Sequence, residues 1–310
     1  MSTMITSFLS VAQQVLILFI LLMIGFICTK AKFFTEECIA GIAKFVLYTV
    51  TPCVIVNSFN REFDASMLKG LGISFLVSLG VHIFCILVVT FLIKDKNESR
   101  QIVLRFGTVF SNCGYMALPL QQAILGSEGV FYGAAFIALF NLVNWTYGLF
   151  LMGGKETKIT LKKIFINPGV IGVSIGLILF LTPLKLPTLI LTPVQNLAAL
   201  NTPLPMVIIG YYMAKIKSFA VLKDSKLILA IFLRLIAIPL VVLGALILFG
   251  LRGTILTSMV IAASAPTAAN TVVFSSLFKR DSELAVALVA LSTLFSILTM
   301  PLIIGITMVV

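Results

Sequence analysis

Side chains able to do chemistry concentrate in two short stretches of this 310-residue chain. The first is Ser111-Asn112-Cys113-Gly114-Tyr115-Met116-Ala117-Leu118-Pro119, and the second is Ser264-Ala265-Pro266-Thr267-Ala268-Ala269-Asn270. Both put Pro, Asn and small residues near the middle of an otherwise apolar run. A proline inside a helix removes one backbone hydrogen bond and clashes with the carbonyl four residues back, so each run is expected to kink or break there. A break creates a helix N-terminus with unpaired N–H groups and about half a positive charge, a ready site for an anion. Asn112 and Asn270 would add amide donors that fix a carboxylate without a full countercharge. The alternative use of both amides is to cap the freed backbone groups.

The remaining polar residues narrow this chemistry. All eleven acidic residues fall in loops or at the ends of apolar runs. A membrane-embedded proton relay or a carboxylate-based sodium site is therefore disfavoured, while sodium held by carbonyls and hydroxyls stays open. Arg234 lies about ten residues into its run, where a lone charge costs about 2.5–3.5 kcal/mol on insertion scales. It is expected to face the protein interior, a cavity or cytoplasmic water, either snorkelling or drawing anions toward the site. Lys44, nearer a run's end, is expected to snorkel. His82, the single histidine, has an ordinary pKa close to neutral; its two readings are a coupling group and, the simpler one, a neutral buried ring with a local hydrogen bond. The five cysteines stand singly with no metal-ligand spacing, and catalytic triads, phosphate loops and Walker sequences are missing. The chain is read as no enzyme, with no metal, no cofactor and no ATP-driven step.

The elements that position these residues follow from composition. Apolar residues make up 60% of the chain and charged ones 11%, against roughly 45–50% and 25% in soluble domains. So few charges cannot cover a water-facing surface, so the solvent is lipid. The fold class is an all-α integral membrane protein. Apolar runs of membrane-crossing length fall at about 8–28, 38–59, 68–93, 101–125, 129–152, 167–183, 189–214, 225–250, 254–278 and 284–308. The first, from Phe8 to Cys28, lacks a preceding basic segment and a small-residue cleavage site, and is expected to stay as a membrane helix. Sixteen Lys and Arg fall in the odd loops and four in the even ones. That asymmetry explains the net charge of +11 as topology rather than nucleic-acid binding, and places both termini outside the cytoplasmic membrane.

A duplication is also legible. Thr51-Pro52 in the second run and Thr202-Pro203 in the seventh are 151 residues apart, and the Asn- and Pro-bearing stretches occupy the fourth run of each half. Five helices per half is an odd number, so the second copy enters the membrane from the opposite side. The expected organisation is a first five-helix repeat over 1–153, a cytoplasmic loop over 154–166 and a second, inverted repeat over 167–310.

The NCGYMALPL, SAPTAAN and STLFSILTMPL segments together resemble the auxin efflux carrier family, which includes plant PIN-type carriers and prokaryotic permeases of malate and other organic acids. The resemblance spans essentially the whole chain, and the short loop after the fifth run is similar to the prokaryotic members. It implies helices 4 and 9 broken and crossing at the membrane centre, a scaffold of helices 1, 2, 6 and 7, and six remaining helices that move against it. It also implies carboxylate substrates and a homodimer through the scaffold. Carried over by position, Asn112, Gly114, Pro119, Pro266 and Asn270 fall on the crossover and substrate site. The expected activity is elevator-type alternating access of an organic anion, with export favoured by an inside-negative potential. A sodium- or proton-coupled symporter of the bile-acid-carrier type is the alternative within transport, and a non-transporting membrane receptor the alternative outside it.

Overall fold

The computed structural model describes residues 2–154, 168–215 and 224–309. Lys155, Lys158, Lys162, Lys163, Lys217 and Lys223 fall outside them, as does nearly all of the loop expected over 154–166. Twelve helices cover most of the described chain: α1 Ser2–Lys30, α2 Glu36–Phe59, α3 Ala65–Leu92, α4 Glu98–Val109, α5 Cys113–Gly153, α6 Pro168–Leu181, α7 Thr188–Ala199, α8 Pro203–Ala214, α9 Ser225–Leu248, α10 Gly253–Ser264, α11 Asn270–Leu277 and α12 Ser282–Thr307. No strand occurs among the described residues. Six stretches are long and apolar enough to cross a membrane: α2, α3, α5, Thr188–Ala214, α9 and α12. Large apolar side chains such as Ile20, Leu76, Phe91 and Leu298 lie exposed on their flanks, as expected of a chain solvated by lipid.

Prolines account for the shape of three of these helices. Pro52, Pro119 and Pro239 each stand just after a π-helical turn, Val46–Val50, Cys113–Ala117 and Leu233–Ala237. In each case the residue before the proline, Thr51, Leu118 or Ile238, donates its N–H to a carbonyl five residues back. The widened turn relieves the clash a proline ring makes with the preceding turn, and the helix continues. A different device bends α5: Gly126 adopts φ 65°, a conformation costly for any residue with a Cβ, and divides the helix into limbs 113–125 and 127–153. Acids at helix ends serve as N-caps. Asp64 accepts from Ser66 and Met67, Asp224 from Lys226 and Leu227, and Asp281 from Leu284, which satisfies donors that would otherwise be orphaned.

Glycines set the closest helix crossings. A Cβ on Gly25 of α1 would come within 2.4 Å of the Val207 carbonyl oxygen, and one on Gly210 of α8 within 2.1 Å of that of Leu22. The α1–α8 backbones therefore touch, the close packing that membrane helices use where no hydrophobic drive brings them together. On α6 a Cβ at Gly172 would lie 3.1 Å from the Pro52 Cα of α2, and Gly176 makes room for the Phe59 ring.

Side-chain bonds show which connections share an end of the bundle. Arg100 donates to Asp224 and to Asp95, the latter at 3.4 Å, and lies 3.8 Å from Asp281. The Asp281 N–H donates to Ser99 Oγ at 2.9 Å and Arg280 Nε to the Met152 carbonyl at 2.8 Å. The loops before α4, after α5, before α9 and before α12 thus meet at one end, which holds Lys94, Lys96, Lys226 and Lys279. At another end, Lys185 donates to the Arg61 carbonyl and the Leu186 N–H to Asn60 Oδ1 at 3.2 Å. This joins the loop after α2 to the loop after α6.

Partial burial pushes the Asp224 carboxyl up, but Arg100 and the backbone N–H groups of Leu227 and Lys226 outweigh it and hold it below its ordinary value. A carboxylate depressed in the folded state stabilises above its unfolded pKa, and that contribution is lost as pH falls through the folded value. Asp224→Asn keeps an effective cap but loses the ion pair, and is expected to cost about 0.5–1 kcal/mol at neutral pH. Thermal unfolding in detergent should show the deficit at pH 7 and its disappearance under acid conditions; a deficit that persists in acid would assign it to packing.

Candidate functional site

The helix that begins at Glu98 stops at Val109 and resumes at Cys113, and the one that begins at Gly253 stops at Ser264 and resumes at Asn270. The two gaps pair with each other. The Asn112 N–H donates to the Pro266 carbonyl at 2.7 Å and the Ala268 N–H to the Phe110 carbonyl at 2.9 Å. Ser111 and Thr267 form an antiparallel bridge. Thr267 fixes the arrangement further: its Oγ1 donates to the Gly107 carbonyl at 2.9 Å, and its N–H to Ser292 Oγ of α12 at 3.1 Å. Extended backbone buried away from water must satisfy its polar groups within the protein, and these bonds do so.

Beside the pairing lies a cavity of about 40 Å³ lined by Thr51, Ser111, Asn112, Gly114, Tyr115, Asn141, Ala268 and Asn270, among others. It has room for about three water molecules. Two helices present their N-termini to it, the limb starting at Cys113 and α11 starting at Asn270; in α11 the Thr271 and Val272 N–H groups donate to the Ala268 and Ala269 carbonyls at 3.0 and 3.1 Å, and the positive end of each helix faces the space. The side-chain atoms Asn112 Nδ2 and Thr51 Oγ1, on two of the lining residues, are buried without a hydrogen-bond partner. No acidic side chain lines the space.

The expected site residues divide into those at the cavity and those behind it. Asn112, Gly114 and Asn270 line it. Pro266 contributes through its carbonyl, which receives the Asn112 N–H. Pro119 is buried one turn into its limb and is not among the lining residues; it shapes the π turn on which Gly114 and Tyr115 sit. Arg234 is buried in the interior, its guanidinium donating to the carbonyls of Thr108 at 3.1 Å, Val109 at 3.3 Å and Ala263. It reaches neither cytoplasmic water nor the cavity lining. His82 is buried on α3, its Nδ1–H donating to the Ser78 carbonyl at 2.7 Å, with the Phe136 ring 5.0 Å away. Lys44 is exposed.

Thr51, Tyr115 and Asn141 are lining residues that the motifs did not single out as binding residues. Asn141 carried a usable signal, an amide in the middle of an apolar run. Thr51 stood out only as a marker of duplication. Its place at the cavity depends on the π turn at Val46–Val50, and a π turn leaves no periodicity to read.

Comparison with known proteins shows the family. Residues 10–304 match the family described as membrane transport protein, and the chain belongs to that auxin efflux carrier-like family. It is similar to an uncharacterized transporter of Methanocaldococcus jannaschii, 24% identical over 299 residues that cover 93% of this chain and 96% of the relative. A second uncharacterized transporter, from Methanothermobacter thermautotrophicus, is 26% identical over 310 residues, covering 95% of this chain and 98% of its own.

Gly114 offers a clean probe, because a Cβ there would meet nothing within 4 Å. Gly114→Ala is expected to fold and insert normally while placing a methyl group in the cavity, and to lower transport at limiting substrate about tenfold. Unaltered transport by the purified, correctly assembled variant would place the substrate elsewhere.

Proposed function

We propose that this membrane transporter carries organic anions, binding a carboxylate in the cavity beside the paired gaps. The observation that carries the reading is the convergence of two helix N-termini and the unpartnered Asn112 amide on one small space without acidic side chains. Helix ends and neutral amides give a carboxylate directional hydrogen bonds and about one positive charge in total. They do so without a salt bridge that would slow its release. No carboxylate is buried among the described residues, which removes the usual proton relay there, so uniport is favoured over coupled uptake, and an inside-negative potential then drives export.

The wider reading belongs to the same proposal. Joining α7 with α8, and the helices on either side of each gap, gives ten crossings in two inverted five-helix halves, with the gaps crossing at the membrane centre. The basic-rich end faces the cytoplasm and both termini lie outside. Helices α1, α2, α6, α7 and α8 form a scaffold, and the others carry the site across the membrane by elevator-type movement.

Uptake of labelled malate and a panel of monocarboxylates into proteoliposomes, with potentials of either sign and with or without pH or sodium gradients, tests this directly. Movement driven by potential alone is expected; dependence on protons or sodium would overturn uniport, and failure of every carboxylate to move would remove the substrate class. Asn112→Ala and Asn270→Ala should each reduce carboxylate transport by about 10–100-fold, the worth of a hydrogen bond to a charged group, with insertion intact. Full activity in both would move the site. A cysteine replacing exposed Lys96 should be shielded from a membrane-impermeant maleimide added to intact cells, whereas one replacing Lys69 should react, and the reverse pattern would invert the topology.

A further inference from the structure

Arg234 defines the charge of the body that holds the site, an inference that rests on the transport reading above. We propose that it gives the buried interior of that body one net positive charge. A substrate with a single ionised carboxylate then crosses in a neutral assembly, and the membrane potential acts on the return of the empty site.

The geometry is specific. Arg234 occupies the π turn Leu233–Ala237 of α9 with 1% of its surface exposed. Its guanidinium binds the carbonyls of Thr108 and Val109, which close α4, and that of Ala263, which closes α10. These are the C-terminal poles of the two helices that stop at the gaps, each carrying about half a negative charge. Together they solvate a buried guanidinium that has no carboxylate partner. The opposite poles, at Cys113 and Asn270, face the cavity. A helix dipole has no net charge, so only formal charges count in the sum. Arg234 is the one Lys, Arg, Asp or Glu in the buried set of the described residues. With the charges at its water-facing ends left aside, the interior of the site body is thus positive by one when empty, neutral with a monocarboxylate and negative by one with a dicarboxylate. Carrying a neutral assembly through the hydrocarbon layer avoids both the field and the cost of a charge in lipid, which selects monocarboxylates as the substrate class of this site.

Exchange of a substrate for itself isolates the loaded step, because the empty site never has to return. Proteoliposomes at about pH 8, where an ordinary histidine is uncharged, would exchange labelled lactate, pyruvate, benzoate or indole-3-acetate as monocarboxylates and malate or succinate as dicarboxylates, with and without an imposed potential. Wild-type monocarboxylate exchange is expected to be unchanged by the potential, while net flux of the same acid responds to it. Arg234→Gln should make monocarboxylate exchange slow about threefold under potential, and Arg234→Lys should behave as wild type. A residue that only holds the gaps together would lower rates without altering their response to voltage. Monocarboxylate exchange that slows under potential in the wild type, an Arg234→Gln variant that exchanges without any response, or exchange confined to dicarboxylates each overturns the proposal. Where Arg234→Gln does not assemble, the wild-type response decides it. Exchange of no carboxylate at all would instead overturn the functional reading on which it rests.

Discussion

The structure depends on the pairing of two interrupted backbone segments with each other. In lipid there is no water to satisfy a freed N–H or carbonyl, so a chain that breaks a helix at membrane depth has to supply partners from its own interior. The Asn112–Pro266 and Phe110–Ala268 bonds are those partners. They bring two segments about 150 residues apart in sequence into register, and Thr267 anchors the pair to Gly107 and Ser292. Gly107 has to be glycine for this approach, because a Cβ there would lie 2.9 Å from the Thr267 methyl and 2.4 Å from Leu288. Once the gaps are paired, the positions of four helix ends are fixed. Two N-termini point to the cavity and two C-termini to Arg234.

Much of this was legible in residue types. Proline in an apolar run announces a defect and asparagine beside it announces a polar use for that defect, so Asn112, Pro119, Pro266 and Asn270 could be picked out without coordinates, while Gly114 was indicated by the family resemblance. The distribution of Lys and Arg anticipated which connections gather at one end. What could not be read is how a proline is accommodated. Pro52, Pro119 and Pro239 each resolve their clash by a π turn within a continuing helix, whereas Pro266 lies in an extended gap. The difference depends on what packs alongside. The Pro266 segment has a second extended segment to pair with, while Pro52 and Pro239 have none and must keep their helices intact. Arg234 was similarly underdetermined: sequence restricted it to interior, cavity or water, and only the nearness of two helix C-termini decides among these.

The π turns also explain why the cavity draws on residues from distant spans. Each turn widens the helix locally and displaces its side chains from ordinary spacing, and Thr51, Gly114 and Tyr115 all lie on or beside such turns. Arg234 lies on the third. Three prolines that would be liabilities in a regular helix thereby place the groups that line the site and the charge behind it.

The two kinds of packing in the bundle bear on the proposed movement. Within one group, α1 meets α8 and α2 meets α6 through glycines that bring backbones into van der Waals contact. Within the other, α4, α5, α9, α10 and α12 are tied by directional polar bonds, including Arg234 to α4 and α10 and Gln121 of α5 to the Ser258 carbonyl of α10 at 2.9 Å. Between the groups the interactions are of a different character: the Phe59 and Phe131 rings meet at 4.5 Å, and the Tyr115 hydroxyl donates to the Ala43 carbonyl over a long 3.4 Å. Apolar surfaces re-form equivalent contacts after sliding, whereas a buried hydrogen bond broken in lipid leaves two groups unsatisfied. Close glycine packing and directional bonds within each group, with sliding contacts between them, are what the proposed movement of one group past the other requires. Such a displacement would carry the paired gaps, the cavity and Arg234 together, and the charge of the site body would travel with the site.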